Sequence, residues 1–204
     1  MPHLPYDSLG LFALAAFVFA GRALLGKRAE AQPGPTDVDT RWVRAALAIF
    51  RGGVGDPASW THDEALEEMR QWGVRDPRQL VALMQRFVQG VHTVAFDQVR
   101  ILWLAQVGLT AGLLDETTAA AYSGRAKQRL QTQYTGWTAL IAAIDEGLAQ
   151  WCGGRERIPK DERTYRKASA RFAQATILPH VPFCEPNAPV QLGHTTRGRG
   201  SIAG

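Results

Sequence analysis

The sequence predicts an all-α protein: a single multi-helix domain with an N-terminal hydrophobic helix ahead of it and an irregular C-terminal tail behind. Three observations carry this. Apolar residues recur at intervals of three and four along most of the chain, which places them on one face of a helix. Sustained alternation of β-branched residues, the signature of a strand, is missing from the sequence. Helix start and stop residues punctuate the apolar stripes. With 204 residues and 46% hydrophobic content the chain can bury one good core, and 21% charged residues is an ordinary share for a folded domain.

The first element is the run "LGLFALAAFVFAGRALLG", Leu9 to Gly26. It carries no charge before Arg22, and it is just long enough for the roughly 17–25 apolar residues that span a bilayer. A secretory signal fits poorly, because "MPHLPYDS" puts no Lys or Arg ahead of the apolar core. Arg22, Lys27 and Arg28 follow the segment instead, which by the positive-inside rule leaves the main domain in the cytoplasm. The alternative is a soluble cytoplasmic protein whose N-terminal helix packs on its own core. The stretch "AEAQPGPTDVDT" then has linker composition. The expected organisation is residues 1–29 as a hydrophobic helix and membrane anchor, 30–39 as linker, 40–178 as the helical domain and 179–204 as tail.

Within the domain, Trp42, Val43, Ala46, Leu47, Ile49 and Phe50 share one helical face until "RGGVGDPASW" breaks the pattern. Thr61 and Glu64 have the spacing of a capping box, in which hydroxyl and carboxylate satisfy N–H groups left free at a helix start. That helix stops at Gly73. Asp76-Pro77 starts the next, with Asp as N-cap and Pro where its missing N–H costs nothing. Its stripe is Leu80, Leu83, Met84, Phe87 and Val88. The run from Val99 to Leu109 has almost no polar face and belongs at the centre of the domain. Asp115 caps a helix with Ala119, Tyr122, Ala126, Leu130 and Tyr134 on its stripe, and a further helix carries Trp137, Leu140, Ile141, Ile144, Leu148 and Trp151. The last is a basic amphipathic helix after Pro159, expected to turn Tyr165, Ala168 and Phe172 to one side and Arg163, Arg166, Lys167 and Arg171 elsewhere.

Chemistry is harder to find. No nucleophile elbow, zinc-protease helix or phosphate-binding glycine loop is present, and no two of the five histidines share a helix face at i, i+4. No catalytic residue, metal or cofactor is expected. Cys152 and Cys184 fit no metal spacing and read either as two reduced thiols or as a bridge tying down the tail. The net charge of +4 is too weak to imply nucleic acid, but it is uneven: Arg155 to Arg171 holds seven Lys or Arg against three acids. Arg163, Arg166, Lys167 and Arg171 are read as a solvated face or, if residues 9–26 hold the domain at a membrane, as contacts to anionic headgroups. Asp97 and Arg100, three apart at the mouth of the central helix, can pair directly. Their simplest role is mutual neutralisation. With His92 they are the candidate binding residues of a polar pocket, should one open beside them.

The stretch from Glu67 to Tyr122, with "YTGWTALIAAIDEGL" after it, resembles the bacterial "domain of unknown function 1266" family. Trp72 and Gly73, Gly90, Asp97 and Arg100, Gly112, Asp115 and Glu116, Trp137 and Gly147 carry the likeness, over about residues 61–152. Phe96 stands where that family usually has Trp, Leu113 where it has Tyr and Gly136 where it has Ser, the last leaving Thr135 to cap the helix there. The resemblance implies a helical fold, brings no activity, cofactor or catalytic set, and hints at an accessory or immunity role near secretion or toxin systems. The expected function is therefore a non-enzymatic helical domain that binds a protein partner at the inner membrane. The alternative is an enzyme or small-ligand binder built around Asp97 and Arg100.

Overall fold

The computed structural model describes residues 38–51 and 57–184. Among these it contains seven α-helices and no strand: α1 Val38–Arg51, α2 His62–Gln71, α3 Pro77–Gln89, α4 Val94–Thr110, α5 Glu116–Gln133, α6 Trp137–Trp151 and α7 Lys160–Phe172. Short 3-10 turns at Pro57–Ser59 and Arg155–Arg157 join them, and a π-helical turn at Ala173–Ile177 extends α7. The hydrophobic segment 1–29, the linker up to residue 37 and the tail beyond residue 184 lie outside the described residues. Helix α1 starts at Val38, two residues before the expected boundary. Among the described residues no helix is long and apolar enough to cross a membrane.

Helix α4 is the axis of the domain. It packs against α1, α2, α3, α5 and α6, and thirteen of its seventeen residues are buried. A helix surrounded on five sides can show water no polar stripe, which is why its sequence is apolar almost all round. The local start signals act as the sequence predicts. The Thr61 hydroxyl accepts from the Glu64 N–H while the Glu64 carboxylate accepts from the Thr61 N–H at 2.8 Å. Asp76 accepts from the Gln79 N–H at 2.9 Å and Asp115 from the Thr118 N–H at 2.7 Å. Helix α6 is the exception: Gly136 is its N-cap with no side-chain bond, so Thr135 does not take that role. Val88, expected on the buried stripe of α3, is exposed at the last turn of that helix.

The last helix departs furthest from its expected facing. The residues of α7 that go inward are Glu162, Arg166 and Ser169, whereas Ala168 and Phe172 face out and Tyr165 is half-buried. Arg166, expected among the outward basic residues, is only 7% exposed. The cause lies in α1. The last carbonyls of a helix have no partner within it, and here those of Ile49 and Phe50 end inside the domain. Arg166 Nη1 donates to both, at 2.9 and 3.1 Å, and the Ser169 hydroxyl donates to Ile49 O at 2.5 Å. Arg166 Nε donates to Asp145 at 2.8 Å, which offsets the cost of burying its charge. An arginine at a helix C-terminus also suits the negative end of the helix dipole.

Beyond the π-helical turn the described residues, 178–184, form no further helix and are fastened through Phe183. Its ring packs edge-on to Trp137 at 5.0 Å and beside Trp42 at 5.6 Å. The Trp42 and Trp137 indole N–H groups donate to the Phe183 and Val181 carbonyls at 2.9 and 2.6 Å. Cys152 and Cys184 are both free thiols, so no bridge performs this task.

Gly147 of α6 lies directly against the start of α4. A Cβ there would lie 2.2 Å from Phe96 Cβ and 2.5 Å from Thr93 Oγ1, and a Cβ on a helix backbone cannot swing aside. Gly147→Ala should therefore force the two helices apart and cost about 3 kcal/mol or more, lowering Tm by roughly 6–12 °C. Gly124→Ala, at an exposed α5 position with nothing within 4 Å, should raise Tm slightly through helix propensity. Thermal denaturation of the two variants checks both signs.

Candidate functional site

The site begins where α3 ends. Gly90 takes φ +90°, a conformation that other residues adopt at a cost, and turns the chain back toward α4. Thr93 caps α4 by accepting from the Phe96 N–H at 3.3 Å and ties it to α6 by donating to Ala143 O at 2.8 Å. This turn brings the N–H groups of Val91 and His92 onto one oxygen of Asp97, at 2.6 and 2.8 Å. Asp97 is fully buried, so its charge must be met inside the protein. Burial alone would raise its carboxyl. The bonds from the His92 side chain and from the two backbone N–H groups outweigh burial and hold it below the usual carboxylate range.

His92, Asp97 and Arg100 do converge, and the Asp97–Arg100 ion pair expected from their spacing forms as a long one. Arg100 Nη1 stays 4.0 Å from the Asp97 carboxylate. The His92 ring lies beside both, with Nδ1 3.2 Å from Asp97 Oδ1 and 3.4 Å from Arg100 Nη1. One ring nitrogen cannot donate and accept at once. Since a carboxylate only accepts, the shorter contact assigns the proton to Nδ1, facing Asp97.

Arg100 is instead held by rings. Its guanidinium carbon lies 4.2 Å from the centre of the Phe96 ring, 4.7 Å from Trp151, 4.8 Å from Phe87 and 5.6 Å from Trp72. The negative faces of aromatic rings stabilise a cation that water does not reach. Burial pushes Arg100 down to about 10, with Asp97 opposing, so the group remains a cation at neutral pH. Nη1 faces His92, and the rest of its five N–H donors meet no hydrogen-bonding group among the described residues.

A cavity opens beside Arg100. The space between its walls, open mouth included, is about 380 Å³, of which about 20 Å³ is accessible to the centre of a water molecule. Phe50, Phe96, Trp72, Trp151, Ile144 and Leu148 form its apolar walls, and Arg166 and Glu162 complete the lining. Glu162 is 8% exposed and makes no hydrogen bond or ion pair among the described residues. Burial pushes its carboxyl up and Asp161 and Asp145 add to this, against the pull of Arg166 and Arg51. An acid so placed costs stability whenever it is ionised.

Neither Glu162 nor the indole walls were legible as site residues in the sequence. The available signal was the spacing 162, 166, 169, 173, a helical stripe of polar residues ending on a buried alanine. A second polar cluster lies beyond Trp72, with Arg51 4.0 Å from Glu68. The Glu68 carboxylate accepts from the Trp72 and Trp103 indoles at 3.1 Å each, and Arg51 lies over the Trp103 ring at 4.3 Å. Trp72 thus belongs to both clusters and fixes one wall of the cavity. Of the basic residues singled out on α7, Arg163, Lys167 and Arg171 are exposed, and only Arg166 reaches the site. Among the described residues no group of His, Cys, Asp and Glu is placed to hold a metal ion.

Residues 90–180 match the model of a family described as a protein of unknown function (DUF1266). This is the family that the sequence resembles, and the matched segment runs from the turn at Gly90 through α7 and its π-helical turn. It therefore contains His92, Asp97, Arg100, Trp151, Glu162 and Arg166, while Trp72 and Phe50 lie before it. No curated protein and no solved structure matches the chain.

Asp97 and Glu162 make opposite contributions to acid stability. Asp97 has a depressed folded pKa, so its contribution is complete well above the unfolded value of about 3.9 and is lost as pH falls through the folded value. Glu162 has a raised folded pKa, so the cost of its charge is relieved as pH falls. Asp97→Asn should cost about 2–4 kcal/mol at pH 7. It should also flatten the loss of stability between roughly pH 5 and 3. Urea unfolding at a series of pH values measures both, and an acid limb as steep as that of the parent would remove Asp97 as its source.

Proposed function

We propose that the domain recognises a small polar ligand in the cavity between Arg100 and Glu162, and that its chemistry is binding rather than bond-making. The observation that carries this reading is a pair of groups, each less than 10% exposed, facing one cavity with hydrogen-bonding capacity left over. Arg100 offers donors and Glu162 offers an acceptor. A planar carboxamide-like group satisfies both, its carbonyl oxygen accepting from Arg100 and its N–H donating to the carboxylate. Hydrogen bonds to charged partners contribute about 1.5–3 kcal/mol each. The flat faces of such a group suit the indole walls of Trp72 and Trp151.

Recognition also explains why Asp97 and His92 are built as they are. They fix the turn at Gly90 and the start of α4, and so they hold the Arg100 guanidinium against its rings in the geometry a ligand needs. This makes them positioning residues. The reading requires neither a protein partner nor a membrane tether through residues 9–26, which remain separate proposals drawn from the sequence.

Acetamide is a suitable probe. Its titration should shift the indole N–H resonances of Trp72 and Trp151, with those of Trp42 and Trp137 unmoved. Glu162→Gln should weaken the response at least tenfold. It should also keep or raise Tm at pH 7, by about 2–4 °C for each kcal/mol of relieved burial cost. A structural salt-bridge role for Glu162 predicts the reverse, a lower Tm. Absence of any selective shift with acetamide in the folded parent protein would sink the carboxamide reading.

A further inference from the structure

The outer face of α7 carries a row of cations that the pocket does not use. Lys160, Arg163, Lys167 and Arg171 are all exposed, and none has an ion-pair partner among the described residues. At about 100° per residue they fall within about 80° of arc, and at 1.5 Å rise they extend over roughly 16 Å. The inward face of the helix is fixed by Arg166 and Ser169, so the direction of the row is fixed as well. Three other cations of the domain are neutralised nearby: Arg70 by Glu67 at 2.8 Å, Arg155 by Glu146 at 2.5 Å and Arg166 by Asp145 at 2.8 Å.

Helix stability does not ask for this row. Arg171, in the last turn, suits the helix dipole, but Lys160 and Arg163 sit at the first turn, where cations are disfavoured. Phe172, 38% exposed, lies at the far end beside Arg171. A cationic row with an exposed aromatic at its margin is the composition of a helix that lies against a lipid headgroup layer. Single-stranded nucleic acid calls for several stacking rings along the charges, and this face has only Phe172 at one end.

We infer that the outer face of α7 is a docking surface for an anionic lipid bilayer, with Lys160, Arg163, Lys167 and Arg171 contacting the headgroups and Phe172 at the interface. Arg166 is excluded from this surface and Lys160 joins it. A row of four charges alone binds reversibly and is screened by salt. The apolar run at residues 9–26 provides the second signal that lasting attachment requires.

Sedimentation of the full chain with vesicles tests this. Phosphatidylcholine vesicles are compared with vesicles containing about one-third phosphatidylserine. The phosphatidylserine-dependent gain in partitioning should fall with salt, and the combined Lys160→Gln, Arg163→Gln, Lys167→Gln, Arg171→Gln variant should lose at least tenfold of it, full engagement being worth roughly fivefold per charge. A control with Arg75, Arg78, Arg86 and Arg125 changed to Gln has the same net charge and should keep the gain. Equal losses in both variants, no gain over phosphatidylcholine alone, or tighter binding to a 20-base-pair DNA duplex than to the anionic vesicles at equal phosphate would each overturn the inference. Unaltered helical circular dichroism in both variants confirms that binding is compared between folded proteins.

Discussion

The burial of α4 on five sides is the constraint to which the rest of the domain answers. A helix with no face to water can keep polar groups only where other parts of the fold satisfy them. Asp97, Gln98 and Arg100 are buried on it, and the surroundings of the two charges differ in kind. Asp97 is met by hydrogen bonds from its own turn, so it stabilises the fold locally. Arg100 is met mainly by ring faces, which soften the desolvation of a cation without using up its donors. The result is a buried guanidinium with directional bonding capacity to spare.

The same logic runs through α7. The C-terminal carbonyls of α1 end inside the protein, and they recruit Arg166 and Ser169 from a segment more than a hundred residues away. Once these two turn inward, helical geometry takes Glu162 with them, since it lies one turn before Arg166 on the same stripe. Glu162 thus reaches the cavity as a neighbour of residues whose own task is to complete a different helix. The pocket and the outer basic row are two faces of that single orientation.

What could be read from the sequence was what is decided locally. The capping box at Thr61 and Glu64, the starts at Asp76-Pro77 and Asp115, and the apolar core of α4 depend on residues within a turn or two, and their spacing announces them. The convergence of His92, Asp97 and Arg100 was legible for the same reason. The bond from the His92 ring to Asp97 was not, because it depends on how the turn after Gly90 folds back. The facing of α7 was misjudged for a different reason: its apolar residues are few, and its orientation is set by the orphan carbonyls of α1. Periodicity reports hydrophobic demand, and here the demand was for hydrogen-bond donors.

The cluster of Trp42, Trp137 and Phe183 has a mechanical consequence. Trp42 lies near the beginning of the described chain and Phe183 near its end, so the two ends leave the domain from neighbouring points. Tension applied between them does not stretch the helices in series. It loads the contacts that join these two points, the Phe183 ring on its two indoles and the hydrogen bonds from Trp42 and Gln131 to the Phe183 carbonyl.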